Sequence, residues 1–566
     1  GIIRAIQRSL ECADDEIVES AEMVHDPDPP DLDLGADSSD EEDMTDLGPQ
    51  SAEEAQQKEL EGLILLGTYE PSTVEESIEE TGKRPLSTKW AMREPTPKKP
   101  KWKARLVVRG FEEPKRGGEM NFAGTTESGV VRTMLAVCAS RRSRGWEAIT
   151  ADVSQAFLNA ELVEGSDYPV FVKSSVGEVW RLKKALYGLR AAPKAWQRTL
   201  RKIMLESNRW VPMPKHGSTF VEIGGTGMTT VHVDDLLICG TKETREGLLS
   251  YLQSRLKLTS NPVTDEPQVF LGRTLRRTKD GFEYGISRDY ISESMDRMEI
   301  SKDEHTGFTR WVEPEESWTP LGVETQSWYR SALGRLAWVD RPDIRVLVTR
   351  CGGRSGHACE GDVKNMKEIW RYLWSTRELV SVIEPLTACE LGIKIVEPEG
   401  SVRVFGDASH GGERIGRRGI SGVISYAMLG GLYYPVSWAS SRQATAVGSS
   451  MEAELLAMTV AVSNGVSVRD LLVPLCGDED DEARRPWTTL VTDSRAARDA
   501  VLKQGCSTRV KHVETKVFFL QSWVTKKDNK LASTGTSEIW ADPLTKVATK
   551  PWSDVHLKNL GLRRRP

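Results

Sequence analysis

The sequence predicts an α+β fold built as two units, roughly 55–300 and 400–550, joined by a mainly helical connector. Three observations predict it. Strand-like and helix-like patterns alternate irregularly to about residue 300, helical periodicity dominates the middle of the chain, and from residue 402 three strand-like runs precede a long apolar-faced helix. The chain has 566 residues, 39% hydrophobic and 28% charged, which excludes fibrous, collagenous and wholly disordered classes and allows several cores.

The elements follow in order. Residues 13–50 mix an acidic run with Pro, Gly and Ser and almost no aromatics, so 1–50 is expected to be a disordered acidic linker. Leu60, Leu63 and Ile64 recur at helical spacing before Gly67, a natural stop. KWKARLVVR sets Trp102, Ala104, Leu106 and Val108 against Lys101, Lys103, Arg105, Val107 and Arg109, a half-buried strand with a mostly basic outer face. WVEPEESWTPLG (311–322) reads as a connector. Helical segments come next, one lined by Val363, Met366, Ile369 and Leu373. VRVFGDAS, GISGVISYAM and LYYPVSWAS read as consecutive antiparallel strands, and Met451, Leu455, Met458 and Val462 mark a helix from about Ser450. A strand ending in TLVTDS and further helix complete the second unit.

The net charge of −7 hides a split: residues 1–50 carry 16 Asp and Glu against Arg4 and Arg8, a net of −14, which leaves the other 516 residues at +7. A moderately basic body is compatible with nucleic acid without demonstrating it. Eight cysteines without a CxxC pair signal neither a zinc site nor a disulfide framework, and fit reduced thiols in an intracellular protein. No apolar run approaches the roughly 18 residues needed to cross a bilayer, so no membrane partner is expected. The chain begins at Gly1 without a secretory signal, and is expected to be cut from a longer polyprotein.

The sharpest local feature is TTVHVDDLLICG (229–240), where Asp234 and Asp235 stand between two apolar runs. Adjacent carboxylates repel each other and resist desolvation, and a divalent cation relieves both costs. An ordinary Asp-Asp hairpin turn is the alternative. Asp152 ends another short apolar run, 82 residues before Asp234. Asp152 with Asp234, and Asp235 as a further ligand, can hold two Mg²⁺ about 4 Å apart for in-line phosphoryl transfer. In KALYGLRAAPKAW, Tyr187 and Trp196 can pack while Lys183, Lys184, Arg190 and Lys194 meet phosphates, although an amphipathic surface helix reads the same way.

In order, KARLVVRGF, ADVSQAFLNAEL, WRLKKALYGLRAAPKAW, VHVDDLLICG, FLG and YRSALGRLAWVDRPDI resemble the reverse transcriptase of copia-type long-terminal-repeat retrotransposon Pol polyproteins. GDASHGG, RRGISG, VSWASSRQATAVGSSMEAELLAM, LVTDSRAARDAV, RVKHVETKVFFLQ and ADPLTK are similar to that family's ribonuclease H. The resemblance covers roughly 55–550. It implies a right-hand polymerase (palm, fingers, thumb) followed by a ribonuclease H-like mixed-sheet domain: fingers and palm over 51–300, a helical thumb or connection over 301–400, the ribonuclease H-like domain over 401–550 and a basic tail at 551–566.

By the same resemblance, Asp152, Asp234 and Asp235 are the palm's metal-binding aspartates. Phe157 is the ring that excludes a ribose 2′-hydroxyl, and Lys103 and Arg105 hold the incoming triphosphate. Asp407, Glu454, Asp493 and Asp542 are the ribonuclease carboxylates, with Glu454 preferred over Glu452 because ELLA matches the family pattern. His512 matches a family histidine to which no catalytic role is assigned. Two Mg²⁺ per site, with Mn²⁺ as substitute, are implied. The implied partners are an RNA template, a DNA primer, an RNA–DNA hybrid, deoxynucleoside triphosphates and an upstream integrase in the same polyprotein, in a cytoplasmic particle or the nucleus. The chain departs from the family at His232 (usually Tyr), Ala191 (usually Gln) and Ile539-Trp540 (usually Asn-Pro). The expected function is therefore RNA-directed DNA synthesis with hybrid RNA cleavage, against the alternative of an inactive or domesticated nucleic-acid-binding remnant.

Overall fold

The computed structural model describes residues 51–565 apart from 96–99, 114–125, 164–168, 303–306, 314, 316–317, 412–416, 477–484, 504 and 506–512. The acidic segment 1–50 and His512 lie outside the described residues. In chain order the first part runs α1 (Ala52–Leu65), β1 (Tyr69–Ser72), α2 (Val74–Thr81), β2 (Leu86–Arg93), β3 (Lys103–Val108), α3 (Ser128–Ser140), β4 (Glu147–Val153), β5 (Val170–Lys173), β6 (Val179–Leu182), α4 (Ala192–Glu206), β7 (Trp210–Met213), β8 (His216–Glu222), β9 (Gly227–His232), β10 (Asp235–Gly240), α5 (Lys242–Gln253) and β11 (Leu258–Pro262). Two sheets result, ordered β1-β6-β5-β2-β3 and β11-β4-β10-β9-β8-β7. On β3 the alternation works as expected, with Ala104, Leu106 and Val108 buried and the basic positions half-exposed.

The middle comprises β12 (Gln268–Phe270), β13 (Arg273–Arg277), β14 (Phe282–Gly285), α6 (Arg288–Arg297), α7 (Val323–Trp338), α8 (Arg345–Gly353), α9 (Glu360–Ser375) and β15 (Leu379–Ile383). Met366, Ile369 and Leu373 of α9 are fully buried, as their spacing predicts. The last part has β16 (Val402–Ser409), β17 (Ile420–Leu429), β18 (Leu432–Arg442), α10 (Ser450–Cys476), β19 (Thr488–Thr492), α11 (Arg495–Leu502), α12 (Glu514–Val524), β20 (Asn529–Ser533), α13 (Asp554–Asn559) and β21 (Leu562–Arg564). Its sheet is ordered β18-β17-β16-β19-β20, with β16, β17 and β18 antiparallel and β19 and β20 parallel to β16.

Helix α10 crosses that sheet. Gly465 permits the approach, since a Cβ there would lie 2.9 Å from Val404 Cγ1. At 27 residues α10 is long and apolar enough to cross a membrane by length and composition, which the sequence reading missed because Ser463, Asn464 and Gly465 interrupt the apolar run without ending the helix. It packs instead as a core helix against β16, β17 and β19.

Two features differ from two units on a connector. First, α3 is buried from Val130 to Cys138, and its core runs through Trp146 and Leu237 of the second sheet to Phe282 and Ile383, then to Leu429 and Val468 of the last part. Arg132 fixes this junction: it pairs with Asp340, donates from Nε to the Val436 carbonyl at 2.9 Å and stacks 3.8 Å over Trp438, whose Nε1 donates to Asp340 at 2.9 Å. Burial pushes the Asp340 carboxyl up, but Arg132, Arg345 and Arg273 outweigh it and hold it well below the usual carboxylate range. Second, the basic end is not a solvated tail. β21 pairs antiparallel with β15, closing a sheet ordered β12-β13-β14-β15-β21, while Arg563 and Arg565 pair with Glu384 and Glu283.

Candidate functional site

Strand β10 lies between β4 and β9, so Asp235 sits opposite both Asp152 and His232. The connecting turn is Val233-Asp234, and Val233 takes φ of 58°, a left-handed conformation that a β-branched residue adopts only under constraint. The constraint is visible: Trp196 Nε1 of α4 donates to the Val233 carbonyl, and Val153 N–H donates to the Asp234 carbonyl at 2.9 Å. The three aspartates therefore gather at one end of the second sheet, with Asp152 buried.

Beside them, Gln155 (φ 54°) opens the short 3₁₀ turn Ala156–Asn159 that carries Phe157. Phe157 meets the Tyr187 ring edge to face at 5.8 Å, and the Arg105 guanidinium lies 4.9 Å from the Tyr187 centroid on its other contact. Arg105 and Phe157, expected at the nucleotide, are thus brought together, and Lys103 shares the face of β3 with Arg105. Tyr187, expected at the template, joins this group. The basic-aromatic string is not one helix: Gly188 (φ 88°) turns the chain, and α4 starts only at Ala192. Of the other expected template contacts, Lys183 pairs with Glu70 at 2.6 Å, Lys184 forms an isolated antiparallel backbone bridge opposite Glu161, the Arg190 backbone N–H donates to Glu113, and Lys194 lies half-exposed on α4.

In the last part, Asp407 comes from β16, Glu454 from α10 and Asp493 from the end of β19, and one carboxylate oxygen of each lies within 4.8 Å of the others. Among the described residues no other trio of such ligands gathers this closely. Glu452 faces elsewhere, accepting from Gly448 N–H at 2.8 Å. Burial, followed by the charges of Asp407 and Asp493, raises Glu454 to about 8. Burial raises Asp407 to about 6 against the opposing Thr545 hydroxyl and Lys546 charge, with Asp542 and Asp493 adding to the rise. Glu454 Oε2 is buried without a hydrogen-bond partner. Asp542 stands at the rim, paired with Lys546. Thr545 and Lys546 were passed over in the string ADPLTK; the i, i+4 spacing from Asp542 was the available signal. Closely packed, partly orphaned, desolvated carboxylates are a donor set suited to a hard divalent cation.

A sheet that presents three aspartates at a strand turn, followed by a mixed five-stranded sheet with a convergent acidic trio, defines a polymerase palm joined to a ribonuclease H-like fold. Residues 76–308 match the reverse transcriptase (RNA-dependent DNA polymerase) family. The chain is 27% identical, over 82% of its length, to a retrovirus-related Pol polyprotein from transposon RE1 of Arabidopsis thaliana, and 26% identical, over 88%, to that from transposon TNT 1-94 of Nicotiana tabacum. It spans 31% and 36% of those relatives. Its fold resembles the foamy viral protease-reverse transcriptase in complex with RNA/DNA hybrid (TM-score 0.50, 14% identity, 89% of this chain and 57% of that one) and its dRH form with double-stranded DNA (TM-score 0.50, 14%, 86% and 72%). Residues 76–308 are thus similar to reverse transcriptases, and most of the chain is similar to a segment of retrovirus-related transposon Pol polyproteins.

Proposed function

We propose that the chain synthesises DNA on an RNA template and cleaves the RNA of the resulting hybrid. The observation that carries the reading is the in-register opposition of Asp152 and Asp235 beside Asp234, inside the segment that matches the reverse transcriptase family. Asp152, Asp234 and Asp235 would hold Mg²⁺ in the palm, and Asp407, Glu454, Asp493 and Asp542 in the ribonuclease site, with Mn²⁺ as substitute. Bound there, the ions supply charge neutralisation and activation of the attacking oxygen. The chain's own residues do the rest: Arg105 and Lys103 meet the triphosphate, Phe157 crowds the sugar 2′ position, and Lys546 offsets the negative charge around Asp407 and Asp542. Template RNA, DNA primer and deoxynucleoside triphosphates are the substrates, an upstream integrase belongs to the same polyprotein, and the reaction takes place inside the cell in a particle or the nucleus.

The test is primer extension on an RNA template with Mg²⁺ or Mn²⁺, following DNA synthesis and RNA cleavage together. The Asp234→Asn, Asp235→Asn double variant should lose extension and keep cleavage; Asp407→Asn should do the reverse. Strong hybrid binding with neither product would instead identify a binding remnant, and His232→Tyr and Ala191→Gln would be the first reversions to make.

A further inference from the structure

The segment 185–190 is clamped from two sides. Ala185 N–H donates to the Ala160 carbonyl at 2.8 Å, tying it to the turn that carries Phe157. Val108 N–H donates to the Tyr187 carbonyl at 2.8 Å, tying it to the end of β3, the strand that carries Arg105. The two backbones cross without room for side chains: a Cβ on Gly188 would lie 2.1 Å from the Val108 carbonyl oxygen, and one on Gly110 would lie 2.1 Å from the Gly188 carbonyl oxygen. Only glycine fits such a crossing, and Gly188 also has φ of 88°. Tyr187 is therefore delivered to one place, with its half-buried ring in contact with both Phe157 and Arg105.

We propose that Tyr187 is a positioning residue for sugar selection, in contact with both Phe157 and Arg105 so that the selecting ring and the triphosphate-binding guanidinium keep a fixed separation. The inference rests on the polymerase reading above. A ring that rejects a 2′-hydroxyl by contact works only if it cannot retreat, because exclusion is a steric cost that movement relaxes. Phe157 lies on a short 3₁₀ turn rather than inside a strand or long helix, so its resistance to displacement comes from what backs it. Tyr187 supplies that backing edge to face, and the same ring holds Arg105 by a cation–π contact.

The experiment measures kcat/KM for deoxy- and ribonucleoside triphosphates, together with hybrid Kd, in the full chain and in Tyr187→Ala, Tyr187→Phe and Phe157→Ala. Tyr187→Ala should lower the deoxy/ribo ratio by about three- to tenfold, the scale of one lost aromatic pair, and raise the triphosphate KM while leaving hybrid Kd in place. Phe157→Ala should lower the ratio further, and Tyr187→Phe, which keeps the ring, should restore it. An unchanged ratio in Tyr187→Ala overturns the proposal, as does a weakened hybrid Kd with normal discrimination, which would make Tyr187 a template contact. Absence of extension by the unaltered chain, with every variant equally silent, would instead remove the polymerase reading and this inference with it. If Tyr187→Ala fails to fold, Tyr187→Leu, which fills the gap without an aromatic face, carries the same expectation.

Discussion

Replacing Glu454 with Gln should stabilise the metal-free protein at neutral and alkaline pH while abolishing hybrid RNA cleavage. In the folded chain Glu454 titrates at about 8, against an ordinary value of 4.5. A carboxyl raised on folding contributes its full stability below the unfolded value, and that contribution is lost as pH rises through the folded one. At pH 7 the unfolded chain releases this proton and the folded chain keeps it, a penalty of about 1.4 kcal/mol per pH unit over roughly 2.5 units, or about 3 kcal/mol. Asp407, raised to about 6, adds to it with the same sign. Gln cannot ionise and so escapes the penalty. Thermal unfolding in EDTA at pH 8 should show the Glu454→Gln midpoint a few degrees above the parent, with the gap closing at pH 5. Mg²⁺ should raise the parent's midpoint at pH 8 more than the variant's. A variant less stable than the parent at pH 8, or a gap of equal size at both pH values, would refute the account of a desolvated, mutually repelling trio.

Three other outcomes follow from the packing. Trp196→Phe removes the donor to the Val233 carbonyl, at a cost of about 1 kcal/mol, and should slow primer extension several-fold with RNA cleavage unaffected. Arg132→Met removes the nearest cation from the buried Asp340 carboxylate, leaving it Trp438 Nε1 and the more distant Arg345, and should cost about 3 kcal/mol, read as a lower unfolding midpoint and faster limited proteolysis. Deleting residues 562–566 leaves β15 an open edge and removes one arginine partner each from Glu283 and Glu384; the shortened chain should self-associate more readily in light scattering than the full one.

What could be read beforehand was what repeats locally. The two-residue alternation of β3, the Asp-bearing hairpin and the four-three-four spacing on α10 all appear where they were expected, because pleat and helix periodicities are written in neighbouring residues. The helix alternative for KALYGLRAAPKAW fails at Gly188, where one left-handed glycine ends a pattern that composition alone makes helical. The pairing of β21 with β15 joins residues 379 and 564, and no local pattern encodes such a register. The shared core did leave a trace, since SGVVRTMLAVCAS is apolar around most of its circumference, and a helix of that kind must be enclosed. The acidic trio was legible only through resemblance, because its members lie on a strand, a helix and a strand end far apart in sequence.

Enclosing α3 between both halves has a consequence for how the two reactions would run in time. With one buried core running from α3 through Leu237 to Leu429 and Val468, and Arg132 bound to Asp340, Val436 and Trp438, the palm and the acidic trio are packed on a common body. On the proposed function, the stretch of hybrid between the growing end and the cut is then a built-in gauge, independent of template sequence, and each added nucleotide advances the RNA past the nuclease by one step.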